Sequence, residues 1–591
     1  MSRLTIPSIA ADRLRLVRSS WLPLLAITLL GFALRVLWLD RQSLWYDELF
    51  TVWASRLPLS ALLDAVAADS QTPYLPYVIL HWWPGIAGGE FALRLYAVFP
   101  GTLAIVATWR LARVFMGSGQ ANLAALLMAT SPFLISRSQE VRGYTWFLLF
   151  GVLASYFFMR LGEGSRAAKV GYLVTLSLTL LSHYYGVFLL IGHGITWLGW
   201  RRVYRMRLWP IAAGLAMALL LWWSGLVVAS AGFSVPARPS LPPTVGVGRP
   251  TSQWSSVVQE ATALLQQAPS SVPVVGLLKG TATQPTPTPP ATETLGAEKA
   301  AQWKRLSGRT VFEVASQMSL GGEFGLGIAT RPPWWNALAA IYLATVVVAG
   351  FMARGFGGFW PLVTWILVPG VATYIIDRMT AMGFEARYLS MLAPFVIVLT
   401  CLGLAGRRER LAVAALLLTL QGIGLYTYYR SPYDARDDWR SLVATLQTEQ
   451  QPGDGLFAFP AHHFAMASAV YSPDLPEGGG WVWPDGQLLL LPQGTRWRGY
   501  GMRLAAVPGG EARTRLLDLA CSYDRLWVVT YTSRVDGDST KVLQQLDGAM
   551  NPVESFAFQG PKGLRLWLYN GCHTTGGSPD DSQPVAVGRA P

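Results

Sequence analysis

WLPLLAITLLGFALRVLWLDRQSLWYDELF, residues 21–50, decides how the chain is read. Its first part, 21 to 39, is apolar over close to the ~20 residues needed to cross a ~30 Å hydrocarbon core. The residues immediately after it are polar and aromatic, with the adjacent carboxylates Asp47 and Glu48 set among Trp45, Tyr46 and Trp53. Two neighbouring negative charges in such surroundings are unfavourable unless a cation, a proton or a base's role offsets them. A span that carries a carboxylate pair at its rim is the unit from which the rest is read.

Working outward, further apolar stretches run over 92 to 114, 120 to 136, 144 to 160, 168 to 182, 184 to 200, 209 to 230, 334 to 353, 359 to 377, 388 to 405 and 411 to 428, making eleven candidate spans with the first. The segment 72 to 87 is apolar but broken by Pro73, Pro76 and Pro84, and reads as interfacial, because prolines leave backbone groups unpaired in lipid. Composition agrees. Charged residues are 14% of the 591, against roughly 25% in an average soluble protein, hydrophobic residues are 52%, and mean hydropathy is +0.33. A wholly soluble enzyme, a disordered protein and a disulfide scaffold are excluded, the last because three Cys cannot staple a chain of this length.

The formal charge of +13 taken alone would fit a nucleic-acid partner. The basic residues, however, crowd alternate connections: Arg13, Arg15 and Arg18; Arg110 and Arg113; Arg160, Arg166 and Lys169; RRVYRMR at 201–207; Arg354; and Arg407, Arg408 and Arg410. All fall on one side of an eleven-span chain, as the positive-inside rule requires. The charge is thus a topology signal, with the amino terminus in the cytoplasm and the carboxy terminus outside, and nucleic acid loses its support. The basic opening is expected to be an uncleaved anchor, since no small-residue cleavage site comes after it.

Three large segments are then extracytoplasmic: 40–91, 231–333 and 429–591. The middle one contains TATQPTPTPPATETLG (281–296), a Pro/Thr tract expected to be an extended linker. In the last, DDWRSLVATLQTEQ has helical spacing with Asp437 or Asp438 as cap, while GLFAFP, RLWVVTY and LRLWLYN read as strands. The expected architecture is an α-helical polytopic membrane domain over 1–430 and an extracytoplasmic α/β domain over 431–591, with a flexible tail from about 575. Cys521 and Cys572 lie in that outer domain, where a disulfide and two free thiols are equally open.

Ionisable residues at a bilayer default to functional sites unless they merely snorkel. Arg94 in EFALRL is read as snorkelling to the outer interface. More promising are the groups that share the outer face: Asp47 and Glu48; Asp69 and His81; Glu140 and Arg142 in SRSQEVRGY; His183 in SHYYG; and Glu385, Arg387 and Tyr388 in GFEARYL. Carboxylates and arginines from separate loops on one membrane face could hold an anionic lipid headgroup beside a general base.

SLWYDELF, TPYLPYVILHWW, GGEFALRLYAVFPGTLAIVATWRLARVFMG, SPFLISRSQEVRGYTWFLL, LSHYYGVFLL and FEARYLSMLAPF, in that order, resemble the bacterial GT-C glycosyltransferases, more narrowly the protein-mannosyltransferase-like and aminoarabinose-transferase-like branch. The resemblance covers roughly 20 to 430. It implies a membrane enzyme of the cell envelope that moves a sugar from a polyprenyl-phosphate donor to an outer-face acceptor, which would be a protein, a lipid or a glycan. It points to Asp47 as general base, with Glu48 beside it and Glu140 assisting or holding, with Asp47, a divalent cation such as Mg or Mn. Arg142 and Arg387, supported by His183 and Tyr388, are the candidates for the donor phosphate, because guanidinium forks match phosphate and stabilise a leaving anion where water is scarce. One base and no covalent nucleophile imply single displacement with inversion. The competing class is a transporter or flippase of lipid-linked sugars, but such proteins typically bind near the midplane on broken helices of repeated halves, and here the ionisable residues sit at span ends with no evident repeat.

Overall fold

The structure is a computed structural model that describes residues 13–69, 73–200, 308–321, 333–380, 386–406, 408–430, 436–451, 453–459, 461–472, 479–482, 488–491, 517–518, 520–531, 540–559 and 563–572. The expected span 209–230, the Pro/Thr tract, Glu385 and the tail from about 575 lie outside the described residues.

Helix α1 (Arg13–Val36) leads into a loop that carries three short helices, α2 (Tyr46–Arg56), α3 (Leu59–Asp69) and α4 (Leu75–His81). The bundle continues through α5 (Glu90–Phe115), α6 (Ser118–Thr130), α7 (Pro132–Ser138), α8 (Tyr144–Arg160), α9 (Arg166–Ser182) and α10 (Gly186–Trp200). After α11 (Gly308–Leu320) come α12 (Pro333–Met352), α13 (Phe359–Thr380), α14 (Leu392–Gly403) and α15 (Arg410–Arg430). Among the described residues, five helical stretches are long and apolar enough to cross a membrane: Glu90–Phe115, Tyr144–Glu163, Trp334–Gly355, Phe359–Ile376 and Arg410–Arg430. Trp21–Val36, Gly186–Gly199 and Leu392–Gly403 are apolar but shorter. Val347, Phe351, Leu367, Val371 and Leu411 stand exposed on this bundle, a surface that suits lipid and not water.

One detail is not read from the sequence: the stretch 120–136 is not one continuous helix but α6 and α7, because Pro132 has no N–H to continue a helix and forces Ser131 out of the helical region, to ψ 115°. Ser131 then caps α7 by accepting from the Leu134 N–H. The proline-broken segment 72–87, read from the sequence as interfacial, contains a short helix over Leu75–His81, with Pro76 in its first turn, where its missing N–H costs nothing.

The described residues between 439 and 572 build a six-stranded mixed sheet with flanking helices. Its parts are α16 (Trp439–Glu449), β1 (Gly455–Phe459), α17 (Ala461–Tyr471), β2 (Gly479–Val482), β3 (Leu488–Leu491), β4 (Arg525–Thr530), α18 (Thr540–Asp547), β5 (Met550–Ala557) and β6 (Arg565–Cys572). The strand order is β3-β2-β1-β4-β6-β5, with β1 parallel to β2 and β4 and the other pairings antiparallel. Asp438 caps α16 by accepting from the Ser441 N–H at 3.1 Å. Cys521 and Cys572 are bonded, their Cα atoms 5.3 Å apart across 51 residues, a closure that contributes about 4 kcal/mol in the chain-entropy model. This sheet does not stand apart: one buried cluster unites Leu44, Leu49, Phe50 and Val52 of the first loop with Trp439, Leu442, Phe464, Trp527 and Leu566. That shared core seats the α/β region directly on α2.

Candidate active site

The site is built from two short backbone segments. The first is the opening turn of α2, where Trp45 takes an extended conformation at the cap and Asp47 and Glu48 occupy the first helical turn, a position that favours negative charge. The second is the turn 139–142 after α7, closed by the Arg142 N–H donating to the Glu140 carbonyl at 2.8 Å. Gly143 comes next because α4 lies against that point, where a Cβ would come within 2.5 Å of Pro76. The segments are joined by the Val141 N–H, which donates to Glu48 Oε1 at 2.8 Å.

Adjacent in sequence, Asp47 and Glu48 meet opposite environments. The Glu48 side chain is 0% exposed and takes Arg94 Nε on Oε1 and Arg94 Nη2 on Oε2, each at 3.2 Å, with Arg436 and the Trp45 N–H also on Oε2. Burial alone would raise this carboxyl; Arg436 and Arg94 outweigh it and hold Glu48 below the ordinary carboxylate range. Glu140 is equally enclosed, with Arg137 Nη1 at 3.0 Å on one oxygen and Arg436 Nη2 at 3.3 Å on the other. Arg94, expected to snorkel, is buried: besides Glu48 it donates to the carbonyls of Leu39, Gln42 and Ser43 at 2.8, 2.7 and 3.1 Å. Its apolar neighbours in sequence face protein as well as lipid.

Asp47 keeps 25% of its side chain exposed. Arg387 Nη1 lies 3.2 Å from Oδ2 and Arg142 Nη2 3.9 Å from the same oxygen. Arg142 is fixed from behind, donating through Nη1 to Thr51 Oγ1 at 2.9 Å and to the Asp47 carbonyl at 3.3 Å. Arg387 stacks its guanidinium over the rings of Trp45 and Tyr388, 5.2 and 5.4 Å from their centroids. Tyr388 in turn borders His183, with ring centroids 5.9 Å apart. The structure therefore brings Asp47, Arg142, Arg387, Tyr388 and His183 to one place, and sets Glu48 and Glu140 behind them as enclosed ion-pair partners.

His183 Nδ1 accepts from the Tyr185 N–H at 3.2 Å, which leaves the proton of a neutral ring on Nε2, buried and without a partner among the described residues. His183 lines a small cavity together with Thr51, Tyr77, Arg142, Tyr144 and Ser182. Burial, with Arg142 adding to it, pushes His183 down to about 3. An unfolded histidine titrates near ~6.5, so between these values the unfolded chain binds the extra proton and stability falls as pH drops. The expected loss approaches about 1.4 kcal/mol per pH unit below 6.5. His183→Phe should remove that share, checked by thermal unfolding at neutral and mildly acid pH; an identical pH dependence in the variant would refute a neutral, buried His183.

A divalent cation on Asp47 and Glu140 does not fit this donor set. Both Glu140 oxygens are occupied by arginines, Asp47 faces two more, and no group of three or more His, Cys, Asp or Glu side chains gathers among the described residues. Asp47, Glu48 and Glu140 are outnumbered by Arg94, Arg137, Arg142, Arg387 and Arg436, a balance that attracts an anion. Arg94, Arg137 and Arg436 are the members that sequence reasoning missed. Only Arg137, beside Glu140 in SRSQE, had a local signal.

No family model matches the sequence. No curated protein matches it either. Among solved structures the chain is similar to the apo oligosaccharyltransferase of Archaeoglobus fulgidus, at 13% identity and a TM-score of 0.46, over 92% of this chain and 74% of that one. It is similar to apo ArnT from Cupriavidus metallidurans, at 13% identity and a TM-score of 0.40, over 93% and 98%. A third likeness is to the arabinofuranosyltransferase AftD from Mycobacteria, at 14% identity and a TM-score of 0.42, over 95% and 40%. Likenesses this distant do not transfer a function.

Proposed function

We propose that the chain is a GT-C-type membrane glycosyltransferase that moves a sugar from a polyprenyl-phosphate donor to an acceptor on the outer face of the cytoplasmic membrane, with Asp47 as general base. The observation that carries this reading is the contrast within one helical turn: Glu48 is sealed by ion pairs, while Asp47 is accessible and held between two arginines. A site for an anion with a reachable carboxylate at its centre suits a reaction that releases a phosphate while it deprotonates an acceptor.

The chemistry balances with these residues alone. Asp47 takes the proton of the acceptor hydroxyl as its oxygen attacks the anomeric carbon from the side opposite the lipid phosphate. The bond from that carbon to the phosphate oxygen breaks, its electron pair stays on the phosphate, and the configuration inverts. Arg142 and Arg387 stabilise the charge that develops there, with His183 Nε2–H and the Tyr388 hydroxyl as further donors. Because both arginines lie against Asp47, a phosphate that draws them toward itself also frees the base. Glu48 and Glu140 are assigned to holding the geometry and not to proton transfer.

Donor binding tests the reading most directly. Arg387→Ala should weaken binding of undecaprenyl phosphate to the nanodisc-embedded protein about tenfold to a hundredfold, the worth of one charge-assisted hydrogen bond. Unchanged affinity would remove Arg387 from the donor site.

A further inference from the structure

Arg436 makes none of the contacts assigned to donor or acceptor, yet it is tied to both enclosed carboxylates. One arm of its guanidinium, Nη1, pairs with Glu48 Oε2; the other, Nη2, reaches Glu140 Oε1 at 3.3 Å. The side chain is 3% exposed. It therefore spans the two segments, the first turn of α2 and the turn 139–142, that also carry Asp47 and Arg142. A planar fork sets a fixed spacing between the groups it joins, which a flexible ammonium does not.

The backbone beneath Arg436 is anchored in the sheet region. Asp437 Oδ2 accepts from the Tyr531 hydroxyl at 3.0 Å, the Asp438 N–H donates to the Gln559 carbonyl at 2.9 Å, and Trp439 is buried in the shared core. A second tie runs in parallel. Arg440 Nη1 pairs with Glu90 Oε2 at 2.6 Å, and the Tyr471 hydroxyl donates to Glu90 Oε1 while accepting from the Leu44 N–H at 2.8 Å. The loop that leads into α2 is thus clamped between the bundle and the α/β region.

We infer that Arg436 is a positioning residue for Asp47, and that the α/β region is through it an integral part of the catalytic unit. The inference rests on Asp47 as the base. A fork that fixes α2 against the 139–142 turn sets the distance between the base and the phosphate-binding arginines. A misplacement of about 1 Å in such a pair costs about 10²-fold in turnover without touching the ligand itself.

The test uses the full chain in nanodiscs, with undecaprenyl phosphate as the binding probe and lipid-linked sugars extracted from a deletion strain as the donor pool. Arg436→Met should transfer about 10²-fold more slowly than wild type. Arg436→Lys, which keeps the charge and loses the fork, should fall between the two, and it carries the test should the Met variant not fold. Undecaprenyl phosphate affinity should stay within about twofold of wild type in both, since Arg142 and Arg387 are untouched. Wild-type turnover in Arg436→Lys, or affinity that falls in step with turnover, overturns the inference. Asp47→Asn run alongside separates the two readings: full turnover there removes the base, whatever Arg436 does.

Discussion

Asp47→Asn is expected to lower transfer by about 10²- to 10⁴-fold, the usual worth of a positioned general base. Asn keeps the size and one carbonyl oxygen, and it cannot take the acceptor's proton. Its ion pair with Arg387 at 3.2 Å is lost as well, but that pair is partly exposed and contributes little to folding. Undecaprenyl phosphate should bind at least as well, since two arginines no longer share a carboxylate. Initial rates in nanodiscs, together with mass spectrometry of envelope glycans from a complemented deletion strain, check both halves. Near wild-type transfer would exclude Asp47 as base.

Glu48→Gln, one residue on, is expected to fail in a different way. It leaves the Arg94 and Arg436 guanidiniums buried beside a neutral amide, and breaking a buried pair from one side costs about 3–5 kcal/mol. The amide also presents an NH₂ group where Glu48 accepts hydrogen bonds from Arg94, Arg436 and the Trp45 N–H. The expected outcome is a large fall in thermal stability and in the amount of folded protein, with transfer lost in proportion. A folded Glu48→Gln of normal stability and no activity would instead place Glu48 in the chemistry.

The contrast between these neighbours shows what a single sequence tells and withholds. That Asp47 and Glu48 form an unusual pair is legible from their aromatic and apolar setting. Which of them is accessible depends on Arg94 and Arg436 and is not. Hydropathy cannot separate a lipid-facing side of α5 from a protein-facing one, so Arg94 reads as a snorkelling residue while it is in fact enclosed. Arg436 carries no local signal, since its partner Glu48 lies 388 residues away. The strands GLFAFP, RLWVVTY and LRLWLYN are legible because each is a short β-rich run between turn residues, and they form β1, β4 and β6. The break at Ser131–Pro132 is also present in the chain, but a hydropathy window averages over one proline. Arg142, Arg387, His183 and Tyr388 do meet near Asp47, because loops at one end of a bundle converge.

The pairing of Glu48 with Arg436 also sets an order of events in the making of the protein. At roughly 5–20 residues per second, the ribosome needs about 20–80 s after Glu48 to reach a partner 388 residues downstream. For most of that interval Glu48 waits for a partner that does not yet exist. The fork that joins Glu48 to Glu140 is therefore set only after most of the bundle has been made, and a chain released before Arg436 lacks it.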